Sequence, residues 1–360
     1  MYLQDGSSLM RHSNTSVAAE WPPAGLEAVT VCPLCGAAER SLAHSGLRDY
    51  FFESAPGSWS MYQCRLCESG YLDPRPNNQT ISLAYRRYYT HQPYDSFPKG
   101  LRRVWHALRE DYLQAVFGVR SEHALWPGRW LLRLFPIGRR GLDAALARNL
   151  EPPPMAGGRL LDVGCGNGNF IEFAQRAGWQ ATGVDNDPVA VATARARGLN
   201  VVEGTLELLD GESACYDRIT LSHVLEHVFD PWDMLARCHR LLKPGGVLWL
   251  ETPNMNARGH SVFGPYWRGL EPPRHLQLFS RAPLRDKLVE FGFVDIEDRF
   301  SSFATAAMWR ESQEIMKKAG VDRQWRHSWF GQLFAEVEAL FSADSREFIT
   351  LVCVKKNDRP

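Results

Sequence analysis

The chain has no net charge: 41 lysines and arginines stand against 41 aspartates and glutamates in 360 residues. A protein without a global field has nothing general with which to attract a polyanion, which argues against nucleic acid as substrate while leaving room for a local patch. Nor is there an apolar run approaching the roughly 18 residues of a membrane span, or the charged-then-apolar opening of a secretory leader. A cytoplasmic protein is expected. Cysteine is sparse too, eight in all, and four of these fall in two Cys-x-x-Cys pairs while the others scatter through expected strands and helices. Reduced thiols and a metal fit that pattern better than disulfides. The length exceeds one average domain, so a main domain with a smaller accessory region is expected.

Residues 1–25 are small, polar and aperiodic, and read as a disordered tail. Next come Cys32-Pro-Leu-Cys35-Gly36 and Cys64-Arg-Leu-Cys67. Each pair makes a turn that points two thiolates at one ion, and two such knuckles close a tetrahedral site of four thiolates. Residues 26–78 are therefore expected to form a ribbon around a structural Zn2+ held by Cys32, Cys35, Cys64 and Cys67. Ser58 to Gln63 alternates as a hairpin strand would, and His44 reads as a surface residue in preference to a substitute ligand.

Residues 79–150 read as a helical linker or lid. Ile81 to Tyr89 is a short helix with Tyr85, Tyr88 and Tyr89 on it and Tyr94 beyond. Those rings either close over a bound cofactor or pack at a domain junction. Residues 101–150 read as two or three helices with nine arginines against four carboxylates, broken near Pro127-Gly128 and Pro136-Ile-Gly138. Such charge is ordinarily a solvated face; the tryptophans among it also suit a peripheral contact with an anionic lipid surface. Glu151-Pro-Pro-Pro154 and Gly157-Gly158 mark the boundary of the main domain, residues 155–360.

That domain opens on Leu-Leu-Asp162-Val-Gly164-Cys165-Gly166-Asn-Gly168, an apolar strand running through three glycines into an amphipathic helix. Glycines let the backbone turn sharply and approach a ligand, and the new helix offers it unpaired N–H groups. A second apolar run, Gln180 to Val184, ends at Asp185-Asn186, where a carboxylate is placed to accept hydrogen bonds from ribose hydroxyls. Strand and helix patterns alternate from here on, which argues an α/β fold with a doubly wound parallel sheet. Asp187-Pro188 opens the next helix, Asn200 to Glu203 is a third strand and Tyr216 to Ser222 a fourth. Then follow His223-Val-Leu-Glu226-His227, a helix from Asp230-Pro231, Lys243-Pro-Gly-Gly, a fifth strand from Val247 to Leu250, and Thr252-Pro253-Asn254. A long insertion carrying Pro272-Pro273-Arg274-His275 and Phe279-Ser280 leads to a helix from Pro283 to Phe291. Phe293 to Phe300 should be an edge strand, and Glu347 to Lys355 an antiparallel one that completes the sheet.

The Asp-x-Gly-x-Gly-x-Gly turn, with its acidic residue at the end of the next strand, resembles class I S-adenosylmethionine-dependent methyltransferases. The post-strand segment and the histidine followed by Phe-Ser resemble the ubiquinone-biosynthesis-type branch of that family, and the knuckles ahead of the domain are similar to those of bacterial sugar-modifying methyltransferases. The resemblance implies a Rossmann-like seven-stranded methyltransferase sheet preceded by a zinc ribbon and a helical lid. It places S-adenosylmethionine against Asp162, Gly164, Cys165, Gly166, Gly168, Asp185, Asn186 and Leu206, with His223 beside it. In-line transfer to a hydroxyl also needs a base, for which His275 stands first and His223 or His227 second, with Glu226 orienting an imidazole.

His-x-x-Glu-His also matches a zinc-peptidase signature. That reading is set aside here, because it requires a helix across the segment and a third ligand, whereas the flanking sequence places His223 at a strand end inside a nucleotide-binding sheet. The acceptor is expected to be a small molecule or saccharide. Two alternatives are a ribosomal RNA base methyltransferase that uses its ribbon on RNA, and a non-catalytic binding protein that has kept the fold. No motif speaks to oligomeric state.

Overall fold

The computed structural model describes residues 20–85, 101–119, 121–134, 143, 146–154, 157–300, 304–322, 324 and 327–357. Order begins earlier than the polar composition suggests. Trp21 is buried edge-on against Trp59 at 5.2 Å, its indole N–H reaching Gly25 O and Thr80 Oγ1. Leu26–Glu27 (β1) then pairs antiparallel with Arg75–Pro76 (β5). The tail expected through residue 25 is therefore shorter at its inner end: residues 1–19 lie outside the described ones, and one large indole ties down the rest.

Arg40–Leu47 (β2), Trp59–Cys64 (β3) and Gly70–Leu72 (β4) form an antiparallel meander, the alternation of residues 58–63 having become β3. Its fourth strand comes from far along the chain. Gln277–Leu278 (β11), in the insertion of the main domain, pairs antiparallel with β4, and Leu72 N–H donates to Leu276 O at 3.0 Å. The accessory region is thus built into the main domain by a shared sheet, and is not a bead ahead of it.

Leu101–Phe117 (α1) and Gly128–Arg133 (α2) are the helices described in the arginine-rich segment; residues 135–142 lie outside the described ones. They meet at Gly128, where an added Cβ would fall 1.9 Å from Leu108 O, so only glycine lets the backbones touch. Of the helix expected over residues 81–89, Ile81–Tyr85 is a 3-10 helix, and Tyr88, Tyr89 and Tyr94 fall outside the described residues.

The main sheet has seven strands: Arg159–Val163 (β6), Gln180–Asp185 (β7), Val201–Glu203 (β8), Tyr216–Ser222 (β9), Leu242–Pro253 (β10), Phe293–Asp298 (β12) and Phe348–Lys355 (β13). Their order is β12-β13-β10-β9-β6-β7-β8. The run from β10 to β8 is parallel and β13 is antiparallel to both its neighbours, as expected of the last strand. Helices Asn169–Arg176 (α3), Pro188–Ala196 (α4), Pro231–Leu241 (α5) and Arg281–Glu290 (α7) connect these strands. Two of them start where side chains cap free N–H groups: Asp187 accepts from Val189 and Ala190, and Asp230 from Trp232 and Asp233, each with proline at the first position. The Lys243-Pro-Gly-Gly stretch lies inside β10, where pairing with β9 slips between Leu242 and Val247. Arg258–Phe263 (α6), Ala304–Lys318 (α8) and Trp329–Phe341 (α9) cover the insertion.

From β6 the chain builds outward through β7 and β8, then returns to place β9 on the other side of β6. The crevice between the carboxyl ends of β6 and β9 is the switch point at which open parallel sheets take ligands.

Candidate active site at the strand tips

All three glycines of the first turn have positive φ, +67°, +54° and +81° for Gly164, Gly166 and Gly168. They do different work. A Cβ on Gly164 would lie 2.6 Å from Val224 and one on Gly168 2.5 Å from Leu199, so these two allow close packing; a Cβ on Gly166 would point into open space. At Gly166 the backbone is left bare. Its N–H donates to Asp185 Oδ2 at 2.7 Å, while Asp187 N–H donates to Oδ1 at 2.9 Å, which fixes the carboxylate across the crevice. Burial pushes the Asp185 carboxyl above the usual range.

Asn186 is exposed beside Asp185, and Leu206 is buried at the start of a 3-10 turn after β8. Cys165 differs from expectation. Its side chain is buried between β6 and β7, with Sγ where a Cβ on Gly183 would come within 2.5 Å, so it offers a ligand only its backbone. Asp162 is wholly buried beneath the turn, accepting from Thr220 Oγ1 at 2.7 Å and from the Arg148 guanidinium, while its Oδ2 has no partner among the described residues. Burial raises its carboxyl as well. Arg148 lies 4.0 Å over the Phe170 ring. Sequence reasoning missed Arg148, one of nine arginines in a segment without periodic marks.

The second half of the site lies at the ends of β9 and β10. His223 follows β9 with φ of +54°, a strained conformation for a residue with a Cβ. Its Nδ1 lies 3.2 Å from Glu226 Oε1 and its Nε2 3.4 Å from Glu251 Oε1. Burial alone would push this imidazole down, yet the two carboxylates outweigh it and lift it to about 10. Glu226 answers with the reverse: burial pushes it up, His223 outweighs that, and it falls to about 2, with Thr252 Oγ1 donating to Oε2 at 2.9 Å. With both ring nitrogens on carboxylates, His223 is held as an imidazolium at neutral pH, which leaves His227 and His275 as the neutral imidazoles among the three expected bases.

His227 and His275 are brought face to edge, with ring centroids 4.7 Å apart. Burial pushes both down, His275 to about 4, so both are neutral. His275 Nδ1 donates to Gly269 O at 2.7 Å, and its Nε2 lies 3.7 Å from Glu271 Oε2. His227 Nδ1 lies 3.1 Å from Arg274 O and 2.9 Å from the Tyr85 hydroxyl. Tyr85 is thus a junction residue whose hydroxyl reaches the site.

On the ribbon, Cys32 and Cys67 sulfurs are 3.7 Å apart and those of Cys35 and Cys64 3.5 Å. All four lie within 4.8 Å of one another. Tetrahedral Zn–S bonds of about 2.3 Å would set sulfurs about 3.8 Å apart, so the set fits that ion. The Cys32 thiol, hydrogen-bonded to Cys67, pulls Cys67 down to about 5. His44 takes no part in this: its Nε2 is 2.7 Å from that of His260.

Residues 134–298 match the family model described as a methyltransferase domain. A ubiquinone biosynthesis O-methyltransferase of Xanthomonas oryzae pv. oryzae (strain PXO99A) is 41% identical over 107 residues, 28% of this chain and 45% of that protein. Its namesake from Xanthomonas axonopodis pv. citri (strain 306) is 39% identical over 172 residues, 46% of this chain and 65% of that protein. The chain therefore spans less than two thirds of either relative. Among solved structures, a SAM-dependent methyltransferase from Archaeoglobus fulgidus aligns with a TM-score of 0.41 at 19% identity, covering 63% of this chain and 99% of that one.

Proposed function

Starting from residues 134–298 as a methyltransferase domain, we propose that this chain transfers a methyl group from S-adenosylmethionine to an oxygen of a small-molecule or saccharide acceptor. The observation that carries the reading is the cradle: bare backbone at Gly166 facing a carboxylate, Asp185, that two N–H groups hold in place. The orphaned Oδ2 of Asp162 fits the same cofactor, since a buried carboxylate oxygen without a donor suits the ammonium of an amino-acid end. Gly164 and Gly168 shape the turn, while Asp185 and Asn186 would flank the ribose and Leu206 would lie beside the adenine.

The cofactor supplies an activated methyl carbon on a sulfonium. The chain's own contribution is position: it holds acceptor oxygen, methyl carbon and sulfur in line, so that an O–C bond forms as the C–S bond breaks and its electron pair passes to sulfur. The acceptor's proton leaves on the side of the neutral pair His227 and His275, with Glu226 held as an anion by His223. Cys32, Cys35, Cys64 and Cys67 would hold a structural Zn2+, which would keep the ribbon, and through β11 the His275 loop, in register. Exposed Trp126, Trp130 and Leu134 beside Arg133 support a peripheral contact of α2 with an anionic lipid surface.

Isothermal titration of the purified chain with S-adenosylmethionine and S-adenosylhomocysteine tests the reading. Binding of both, followed by label transfer from methyl-labelled cofactor into a cell-extract metabolite, is expected. Indifference to both ligands would overturn it.

A further inference from the structure

Helix α9, Trp329–Phe341, carries its apolar side outward. A helix on the surface of a globular protein ordinarily buries its apolar stripe and shows polar residues to water. Here the buried side chains are the small ones, Ala335 and Ala339, and the Ala339 carbonyl accepts from Arg346 Nε at 3.0 Å. Trp329, Phe330, Leu333, Phe334, Val337 and Phe341 face out, between 43% and 87% exposed. Their three- and four-residue steps place them in one continuous stripe.

Its size and its charge say what covers such a stripe. With about 150–250 Å² for each aromatic side chain, the six residues expose roughly 700 Å² of apolar surface. That exceeds the largest apolar patch of a typical monomer, about 300–600 Å², and falls within the roughly 600–1,000 Å² that each partner gives to a stable protein interface. Residues 328–341 hold no lysine or arginine and two glutamates, Glu336 and Glu338. An anionic membrane surface attracts basic residues along the polar edge of an interfacial helix, and α9 offers it carboxylates. Beside Phe334, one turn along, Glu338 Oε2 lies 3.4 Å from Arg258 Nε of α6, both side chains about half exposed. An edge that bears both signs is complementary to a copy of itself.

The geometry points to a two-fold dimer of this chain, α9 of one copy lying antiparallel on α9 of the other. In such a contact residue i meets residue j and j meets i. With the axis at mid-helix, beside Ala335, Leu333 of one copy faces Val337 of the other, and Phe341 faces Trp329. Aliphatic side chains then fill the centre and aromatic rings close both ends, away from water. The surface stands apart from the methyl-transfer reading and does not depend on it.

The test is sedimentation velocity on the full chain with its ribbon loaded with zinc. Wild type is expected at twice the mass of one chain. Leu333→Asp and Val337→Lys, each with unchanged circular dichroism, should run as single chains, their dimer dissociation constants raised more than about thirtyfold, the size of a hot-spot loss. Mixed together, these two variants should re-form a dimer that neither makes alone, because Leu333→Asp then faces Val337→Lys across the axis. Should either fail to fold, Phe334→Ser carries the test and should weaken the dimer in the same direction without adding charge. A wild type that stays single through the micromolar range, a dimer that the folded variants leave intact, or a mixture that fails to pair would overturn the interface. So would single wild-type chains that bind phosphatidylcholine vesicles and lose that binding in Leu333→Asp or Phe334→Ser, since the stripe would then belong to lipid.

Discussion

Arg274 of the insertion holds Asp49 of the ribbon region in a two-point ion pair, Nη1 to Oδ2 at 3.0 Å and Nη2 to Oδ1 at 2.7 Å, with both side chains all but sealed from water. The same guanidinium donates to Ser54 Oγ, Ala84 O and Glu271. It is the polar bolt between the accessory region and the loop that carries His275. Arg274→Ala leaves Asp49 buried and unpaired, a loss expected to cost about 3–5 kcal/mol of stability. Urea melts would show it.

Gly166→Ala separates binding from folding. Its Cβ meets nothing within 4 Å and its φ of +54° costs an alanine about 1–2 kcal/mol. The melting temperature should fall slightly, whereas affinity for S-adenosylhomocysteine by calorimetry should drop more than about tenfold, because the methyl fills the cradle. Asp185→Ala should weaken binding comparably. Unchanged affinity in both would remove the cradle assignment.

The His44–His260 pair sets a pH slope. His260 Nδ1 donates to Met255 O at 2.7 Å, so its Nε2 accepts from His44 Nε2–H and both rings are neutral. Burial, with His260 alongside, pushes His44 down to about 4. A histidine held below its unfolded value of about 6.5 contributes stability that is complete above that value and lost as pH falls through 4, because the unfolded chain takes up the proton first. Melts between pH 7 and 4 should flatten in His44→Gln relative to wild type.

Cys64→Ser, or zinc chelation, should release more than the ribbon. Since β4 pairs with β11, hydrogen exchange at residues 276–278 should quicken together with that of β3 and β4. Metal analysis should find one zinc fewer. Exchange confined to residues 26–78 would argue that the shared sheet does not transmit the loss.

Trp126→Ser, just ahead of α2, with Trp130→Ser on it should abolish co-sedimentation with vesicles containing anionic phosphatidylglycerol and leave the fold intact. Wild-type protein that stays in the supernatant would dispose of the lipid contact.

Much of the scaffold was legible because its signals are local. Three glycines after an apolar run, Asp187-Pro188, Asp230-Pro231 and the strand pattern of Tyr216 to Ser222 each act through neighbouring residues, and their strands and caps are where the patterns put them. The Cys-x-x-Cys pairs announced their meeting by spacing. What stayed hidden is made by residues distant in sequence. Arg148 over Asp162, Tyr85 on His227, and His223 clasped between Glu226 and Glu251 have no periodic trace. Whether a histidine is neutral or charged depends on which carboxylates the fold delivers, so three histidines alike on paper divide into one cation and two lone-pair donors.

The pairing of Gly70–Leu72 with Gln277–Leu278 also bears on how the molecule is made. During synthesis the knuckles emerge first and can capture their ion early, but the outer edge of their sheet stays bare until some two hundred further residues have left the ribosome. An excised front segment would therefore show an open, pairing-hungry border, and the natural unit for expression is the uninterrupted chain.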